Sequence, residues 1–456
     1  MATADTHAQD LLALDRDVAR GAAAYARWRA ALGRDPRAHA QDEPLEPVRR
    51  AAGRSTWHAL GELAPSAADA PLRDALRQWV AWLTQARIGH PDDVAWATES
   101  LEPRGRFAGE PPRLASWREA WRGVTAARTV AEARLWIGAA AEAASPLAEV
   151  ARTRAGRRVE VAHRFGVEHP WAQVIDVPVA RLRAAAARLL DATEDLSRAV
   201  WREALRGGEG GAPAVLQAAM AREAGEGWPA RLTVRWLEET FGLPSAHGWR
   251  PDLPPMPPAL GAASFARALQ AFGVGVRLGA ASPLPFAIAR EPAPIAAHRF
   301  GFAFAALAAD AEWQARALHV GRRTASDQAR VLARTALLDA RLHAARLLLG
   351  DPASFAPRDR FDELGARLFG AALDARLHGA WPAARDDEPA RLVALLEARP
   401  FFDELRERFD VDWFRNPRAR EHLRALAAGP ARAPVDVDSL DARADTLARA
   451  FEGALG

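Results

Sequence analysis

Acidic residues and histidines spaced four apart are the first features of this sequence that suggest chemistry. Asp339 and His343 form one such pair, and Asp374 and His378 form another within a repeated Asp-Ala-Arg-Leu-His motif. On a helix this spacing puts both side chains on one face, which would supply half of a carboxylate–histidine metal site. It also occurs in ordinary exposed helix pairs, each of which contributes only ~0.2–0.5 kcal/mol. We favour the exposed-pair interpretation for both.

Two further histidines and the absence of familiar motifs narrow the candidate chemistry. His163 and His169 lie six residues apart, which is not a same-face helical spacing, so we interpret them as loop or surface residues. The sequence has no cysteine, so any zinc site would have to use His, Asp and Glu. No intact HExxH, phosphate-binding loop, GxSxG or GxGxxG motif is present.

The elements that must position these residues are predicted to be helices. Apolar residues recur at helical spacing in two segments, at Leu76, Trp79, Val80 and Leu83 and at Val331, Leu338, Leu342, Ala345 and Leu349. The second segment ends at Gly350-Asp351-Pro352, which is typical of a helix stop, and Asn416-Pro417 is typical of a helix start. Alternating strand patterns are nearly absent. The sequence therefore predicts an all-α fold with at most a short hairpin.

Two stretches rich in glycine or proline interrupt the helical pattern. Gly207–Gly211 is predicted to be a loop, and the prolines between Trp249 and Ala263 exclude a continuous helix there. We place a domain boundary in this second stretch. It separates an N-terminal helical lobe, residues 1–245, from a C-terminal helical lobe, residues 246–456.

Charge and hydropathy argue against two classes of partner. The net charge is +3, and the basic residues are all arginines interleaved with Asp and Glu, so no concentrated nucleic-acid-binding patch is predicted. No apolar run approaches the ~18 residues of a membrane span. The start of the sequence, Met1–Asp5, lacks the features of a signal peptide. We expect a cytoplasmic protein that binds neither nucleic acid nor membranes.

Three stretches carry a resemblance to a known family. They are Ala192–Leu196, Phe300–Trp313, and Leu405–Phe409 continuing into Asp412–Pro417. With these landmarks the chain resembles bacterial zinc peptidases of the thimet oligopeptidase and oligoendopeptidase F type. The resemblance implies a two-lobed helical fold around a cleft, and it implies that a zinc helix should carry the catalytic residues.

The segment that matches the family's zinc helix has lost the residues that the chemistry needs. In the family, two histidines at i and i+4 hold zinc, and the glutamate between them acts as general base. The match here is Gln270–Gly275, which puts Gln270 and Val274 at the ligand positions and Ala271 at the base position. An amide is a weak ligand, and neither valine nor alanine can bind a metal or accept a proton.

The third ligand position falls on the following helix. Matching Ala297–Phe300 to the family pattern puts His298 where the family has a glutamate, with Arg299 beside it. In an alternative match, His298–Phe302 is itself a degenerate HEFGH motif. Either match lacks the glutamate base and at least one histidine. We therefore predict no metal, no zinc cofactor and no catalytic residue at this site.

Two more positions point to lost catalysis. Where the family has hydroxyl donors that stabilise the transition state, this chain has Asp387 and Arg391. The family's substrate-pairing sheet edge corresponds to the proline-rich stretch from His247 to Ala263, which cannot supply a ladder of N–H groups. Arg299, Asp387 and Arg391 remain candidates for binding a ligand in the former cleft, and His298 with Arg299 is a candidate for binding an anionic one.

These observations predict a catalytically inactive peptidase homologue that acts as a binding, scaffold or regulatory subunit. Its partner would be a protein, and an active peptidase paralogue is one candidate. One alternative is a redirected, metal-independent enzyme that uses His298 or the acidic cluster at residues 386–388. Another is a plain helical interaction module that resembles peptidases only in its helical periodicity.

Overall fold

The computed structural model describes residues 2–63, 66, 68–206, 211–220, 226–229, 233–245, 262–353, 356–382, 387–431 and 435–456. The predicted loop at residues 207–210 and most of the proline-rich stretch, residues 246–261, lie outside them. In the described part of the chain no helix is both long enough and apolar enough to cross a membrane.

Helices make up almost all of the described secondary structure, which confirms the all-α prediction. The α-helices are α1 (Ala2–Arg34), α2 (Pro36–His39), α3 (Arg54–Glu62), α4 (Ala70–Glu99), α5 (Trp117–Ala126), α6 (Val130–Arg164), α7 (Val179–Ala192), α8 (Glu194–Leu205), α9 (Ala212–Ala219), α10 (Val234–Phe241), α11 (Ala262–Gly279), α12 (Phe286–Ala289), α13 (Ile295–Ala306), α14 (Ala311–Ala317), α15 (Arg322–Leu349), α16 (Arg358–Phe369), α17 (Glu388–Phe409), α18 (Pro417–Ala428) and α19 (Leu440–Leu455). Short 3₁₀ helices span Glu46–Val48, Pro170–Gln173, Leu307–Ala309, Ala375–Leu377, Trp413–Arg415 and Val437–Ser439.

Local signals in the sequence set several helix boundaries as predicted. The Asn416 side chain accepts from the backbone N–H of Arg418, and Pro417 is the first residue of α18. Helix α15 ends at Leu349, immediately before Gly350. The predicted apolar stripes of α4 and α15 are buried, with one error: Val331 is 39% exposed.

A single antiparallel hairpin is the sheet found in the described residues. Strand β1 (Pro103–Phe107) pairs with β2 (Arg113–Ser116), and Gly105 lies opposite Ala115. A Cβ on Gly105 would lie 2.0 Å from the carbonyl oxygen of Ala139 in α6, so only glycine lets the strand approach this helix. The prediction of at most a short hairpin is confirmed.

Three apolar cores hold the helices together. The largest lies among α6, α7, α15, α16, α17 and α19, so residues on both sides of position 245 contribute to it, such as Leu189 and Leu342. A second core, rich in aromatic rings, joins α10, α11, α13, α14, α17 and α18. The third joins α1, α3 and α4. Helices α11, α13 and α17 of the second core carry the predicted site residues, and α13 contacts the other two.

Candidate functional site

Two glycines let α11 and α13 approach each other closely. A Cβ on Gly273 would lie 2.6 Å from the carbonyl oxygen of Phe300, and a Cβ on Gly301 would lie 2.9 Å from both the carbonyl oxygen of Gln270 and Cγ2 of Val274. Real side chains do not tolerate such distances, so the contact requires both glycines. The face of α11 that carries the two predicted ligand positions therefore packs against the backbone of α13.

The degenerate zinc positions on α11 offer no ligand set. Gln270, Ala271 and Val274 are all half-buried near the crossing with α13. One amide, one methyl group and one isopropyl group face a region where a zinc peptidase needs two imidazoles and a carboxylate. These three residues lie within two turns of α11, and their side chains do not fit a zinc ion.

His298 on α13 is bound to a carboxylate. Its Nε2 lies 2.8 Å from Oδ2 of Asp387, the residue that precedes α17. The other oxygen of Asp387 accepts from Nε of Arg391 at 2.9 Å, one turn along α17. We call these three residues the Asp387 cluster. Sequence analysis named these residues as separate candidates, and the crossing of α13 and α17 brings them into contact.

Burial and charge fix the protonation states in the Asp387 cluster. His298 is only 5% exposed, and burial lowers its pKa although the hydrogen bond to Asp387 opposes this. Burial alone would raise the pKa of Asp387, but His298 and Arg391 hold it well below its usual range. Around neutral pH the imidazole is therefore uncharged, and Nε2–H donates to an ionised carboxylate.

The second ring nitrogen of His298, Nδ1, takes no part in the hydrogen bond to Asp387. With the proton on Nε2, the Nδ1 atom carries a lone pair and can only accept. Nδ1 is buried, and no described residue donates a hydrogen bond to it. Most buried polar atoms in proteins have a partner, and Nδ1 of His298 is, like Nε of Arg299, one of the described side-chain atoms that do not.

A second histidine and carboxylate lie beside the Asp387 cluster. Nδ1 of His343 on α15 is hydrogen-bonded to Oε1 of Glu388, the first residue of α17, and both side chains are buried. The interpretation of Asp339 and His343 as an exposed helix pair is therefore wrong. The sequence pattern identified the histidine but gave no information about its tertiary partner.

The other predicted pair also differs from the prediction. Asp374 caps the short 3₁₀ helix Ala375–Leu377, and Nε2 of His378 is hydrogen-bonded to the carbonyl oxygen of Ala356 at 2.8 Å. The two residues therefore do not share one helix face. Repetition of the Asp-Ala-Arg-Leu-His motif does not produce a repeated structure, because the first copy lies within the α-helix α15 and the second forms only a short 3₁₀ helix.

The remaining arginine of the predicted site lies on the outer side of α13. Arg299 lies over the ring of Phe401, with 5.2 Å from its guanidinium carbon to the ring centre, and 3.6 Å from Glu397. Glu397 also accepts from Arg443 at 2.9 Å. Arg299 is thus engaged by an aromatic ring and a shared carboxylate, so it is less available to a ligand than Arg391.

Sequence analysis missed Glu291, which lies just before α13. One of its oxygens accepts from the backbone N–H of Ala296 at 3.1 Å. Burial raises its pKa to about 7, although Arg277 and Arg299 act in the opposite direction. The available signal was an acidic residue beside Arg290, in a stretch between Pro285 and Pro294 that is otherwise apolar. A perturbed pKa marks such an acid as a candidate functional group.

The histidines predicted to be ordinary surface residues divide into two cases. His163 is exposed, as predicted. His169 is buried, with Nε2 2.8 Å from Oδ1 of Asp351, and Arg183 donates to the other oxygen. Of the two predicted alternatives, His169 lies in a loop and not at the surface. We call His169, Asp351 and Arg183 the Asp351 cluster.

Comparison with solved structures identifies the fold, whereas comparison with protein families and curated proteins finds no match. No protein-family model matches the sequence, and no curated protein matches it either. Among solved structures, PZ peptidase A with an inhibitor is similar, with a TM-score of 0.60 and 10% identity over 90% of this chain and 85% of the other. A structure described as an oligoendopeptidase F from Bacillus anthracis str. Ames gives 0.56 and 8% over 94% and 85%. The chain therefore has the helical fold of these oligopeptidases.

Proposed function

We propose that this chain is a peptidase-fold protein that binds a protein partner without hydrolysing peptides. The observation that carries the proposal is the bonding of His298, the residue at the third ligand position. Its Nε2 is bound to Asp387, which is held in turn by Arg391. An imidazole tied to an ionised carboxylate in this way stabilises the contact between α13 and α17.

The donor set at the former zinc site supports the same conclusion. Zinc in peptidases needs three protein ligands and an open position for water, and hydrolysis needs a base beside that water. Gln270 and Val274 supply one weak ligand between them, and Ala271 supplies no base. Without zinc and base, a peptide bound in this fold would remain intact.

The partner in this proposal is a protein, and an active peptidase of the same fold is the candidate we favour. Loss of the catalytic residues from a retained fold is expected when a subunit keeps only its binding surfaces. Co-expression with a peptidase from the same genome that has an intact HExxH motif tests this idea. A complex that survives gel filtration supports it, and independent elution of the two chains contradicts it.

Zinc content and peptide hydrolysis test the main proposal directly. Purified protein should contain far less than one zinc per chain by elemental analysis. It should also leave a mixture of quenched fluorescent peptides uncut, with or without added zinc. Stoichiometric zinc, together with hydrolysis that a chelator abolishes, would show that the proposal is wrong. An active oligopeptidase of the same fold, assayed in parallel, is the positive control.

A second candidate function is metal-independent acid–base catalysis, which the unpartnered Nδ1 of His298 favours. A histidine oriented by a carboxylate on one nitrogen, with the other available, is the arrangement of a general base. However, Nδ1 is buried, so a substrate would reach it only after neighbouring side chains moved. We therefore rank this function second. Hydrolysis of p-nitrophenyl acetate that is lost in His298→Ala would support it.

A further inference from the structure

The guanidinium group of Arg391 is fixed on one edge and open on the other. Its Nε donates to Asp387 at 2.9 Å, and no described residue accepts from its two amino groups. About a fifth of its side chain is exposed, 20%, so solvent reaches part of the group. Four N–H donors of a rigid planar fork therefore remain unused by the described residues.

Other arginines of this chain show what such a fork can hold. Arg367, at 19% side-chain exposure, gives Nε to Glu194 at 3.1 Å and an amino group to Asp191 at 2.7 Å. Arg316 likewise gives Nε to Glu312 and an amino group to Asp412. Each binds two carboxylates, one on each part of the fork. Among the described residues, Arg391 has only the first carboxylate.

The neighbours of Arg391 keep its open edge in place. Asp387 cannot rotate to cover the amino groups, because its second oxygen is held by His298 at 2.8 Å. The contrast on the same helix is Arg399, whose Nε donates to Asp403 at 2.8 Å while an amino nitrogen lies 2.7 Å from the other oxygen of that carboxylate. There a single carboxylate lies against both parts of the guanidinium group. The guanidinium of Arg391 is oriented beforehand, and no described residue occupies its amino groups.

We propose that Arg391 is a carboxylate-binding residue, which holds an acidic group of a bound peptide through its two amino groups. The proposal deepens the function given above and rests on it, because it names the chemistry that the former peptidase site recognises. The ligand carboxylate takes the place that Asp191 takes on Arg367. It can come from the C-terminus of a peptide or from an aspartate or glutamate side chain within it.

Three matched peptides test the proposal and separate the two sources. They are acetyl-tetra-alanine with a free C-terminus, the same peptide as its C-terminal amide, and an amidated acetyl peptide of the same length with one central aspartate. Isothermal titration at low ionic strength should show binding of at least one acidic peptide, at least about tenfold tighter than the neutral amide. A preference for the free acid identifies C-terminal recognition, and a preference for the aspartyl peptide identifies side-chain recognition.

Substitutions on α17 show whether Arg391 is responsible. Arg391→Gln should remove the preference for acidic peptides, and Arg391→Lys should retain only part of it because an ammonium group cannot bind bidentately. Arg399→Gln is the matched control, since it removes an arginine from the same helix and should leave the preference unchanged. Circular dichroism melts confirm that all variants are folded. Equal affinities for the three peptides, no binding of any, or an unchanged preference in Arg391→Gln would overturn the proposal.

Failure of this proposal can be distinguished from failure of the proposed function. Mass spectrometry of each peptide after the titration reports cleavage independently of binding. Cleaved peptide would contradict the non-hydrolytic function, whatever the affinities are. Intact peptide that binds with no preference for charge would contradict only the assignment of Arg391.

Discussion

The Asp351 cluster and the Asp387 cluster use the same three residue types in two regions of the molecule. In the Asp351 cluster every polar group of the histidine and the aspartate has a partner. His169 accepts from the backbone N–H of Trp171 through Nδ1 and is bonded to Asp351 through Nε2. Asp351, which is 1% exposed, also accepts from Arg183 and from the backbone N–H of Ala353.

In the Asp387 cluster the aspartate likewise bonds to both the histidine and the arginine, through Nε of Arg391 where Arg183 uses an amino group, but the outer groups have no partner among the described residues. His298 has no described partner for Nδ1, and the amino groups of Arg391 have no described acceptor. The Asp387 side chain is 28% exposed, against 2% for Asp351. Arg183 also has an open edge, but at 43% exposure it lies at the surface, where water satisfies it. The Asp351 cluster is therefore a structural contact, in which the histidine and the aspartate are fully hydrogen-bonded. The Asp387 cluster has polar groups that a ligand can bind.

Removal of each aspartate should give the largest contrast between the clusters. Asp351→Ala leaves a buried imidazole N–H and the backbone N–H of Ala353 without an acceptor, so we expect a loss of about 3 kcal/mol in the free energy of unfolding. Asp387→Ala leaves one buried N–H and a partly exposed arginine that water can solvate, so we expect about 1–2 kcal/mol. Urea denaturation at neutral pH measures both.

Replacement of each aspartate by asparagine is a milder change than replacement by alanine. Asp351→Asn and Asp387→Asn keep the size of the side chain, remove its charge and turn one acceptor oxygen into an NH2 donor. Each should lie between wild type and its own alanine variant in stability. If Asp387→Ala were as destabilising as Asp351→Ala, the interpretation of the Asp351 cluster as a structural contact and of the Asp387 cluster as a ligand site would be wrong.

Glu291 provides the next test, because it is a group of the site region whose burial costs stability. Its pKa is about 7 in the folded protein, above the ordinary 4.5, so the folded state holds this proton more tightly than the unfolded state. The associated stability is present below about pH 4.5 and is lost as the pH rises through 7. Glu291→Gln should therefore be more stable than wild type by about 2 kcal/mol near pH 8.

The pH dependence of this difference is the decisive measurement. At about pH 5 the wild-type carboxyl is largely protonated in the fold, so the variant and wild type should have similar stabilities. Thermal or urea unfolding at both pH values gives the comparison. A gain in stability that is the same at both pH values would mean that ionisation of Glu291 is not the cause.

Local patterns in the sequence were sufficient to predict the class of fold and several of its boundaries. Asn416-Pro417 and Gly350 act within one helical turn, so their effect does not depend on tertiary contacts. Val331 was misplaced because periodicity gives the direction of a helix face but not where its neighbours stop covering it. His169 was misplaced because its partner, Asp351, is 182 residues away.

The candidate site was predictable only in part, for the same reason. The residue types at Gln270, Ala271 and Val274 can be read from the sequence alone. The bond between His298 and Asp387 joins residues 89 positions apart and depends on how α13 crosses α17. Residue spacing does not predict how two helices cross. Sequence analysis therefore placed both residues in a cleft without predicting the hydrogen bond between them.

The smallest expected effect belongs to His298, whose pKa is lowered by burial from an ordinary value of 6.5. The unfolded chain therefore binds this proton more readily, and the protein should lose stability as the pH falls below about 6.5. His298→Gln retains an N–H donor for Asp387 and cannot titrate, so wild type should lose about 1 kcal/mol relative to the variant between about pH 7 and 5. The contribution of Glu291 runs in the opposite direction over this range, but it is present in both proteins and cancels from the difference as far as the two sites are independent.

His169→Gln, measured in parallel, reports the same substitution in the Asp351 cluster. If the stability difference between wild type and His298→Gln did not change with pH, the buried imidazole would not be the group that titrates, and the assignment of a neutral His298 beside an ionised Asp387 would be wrong.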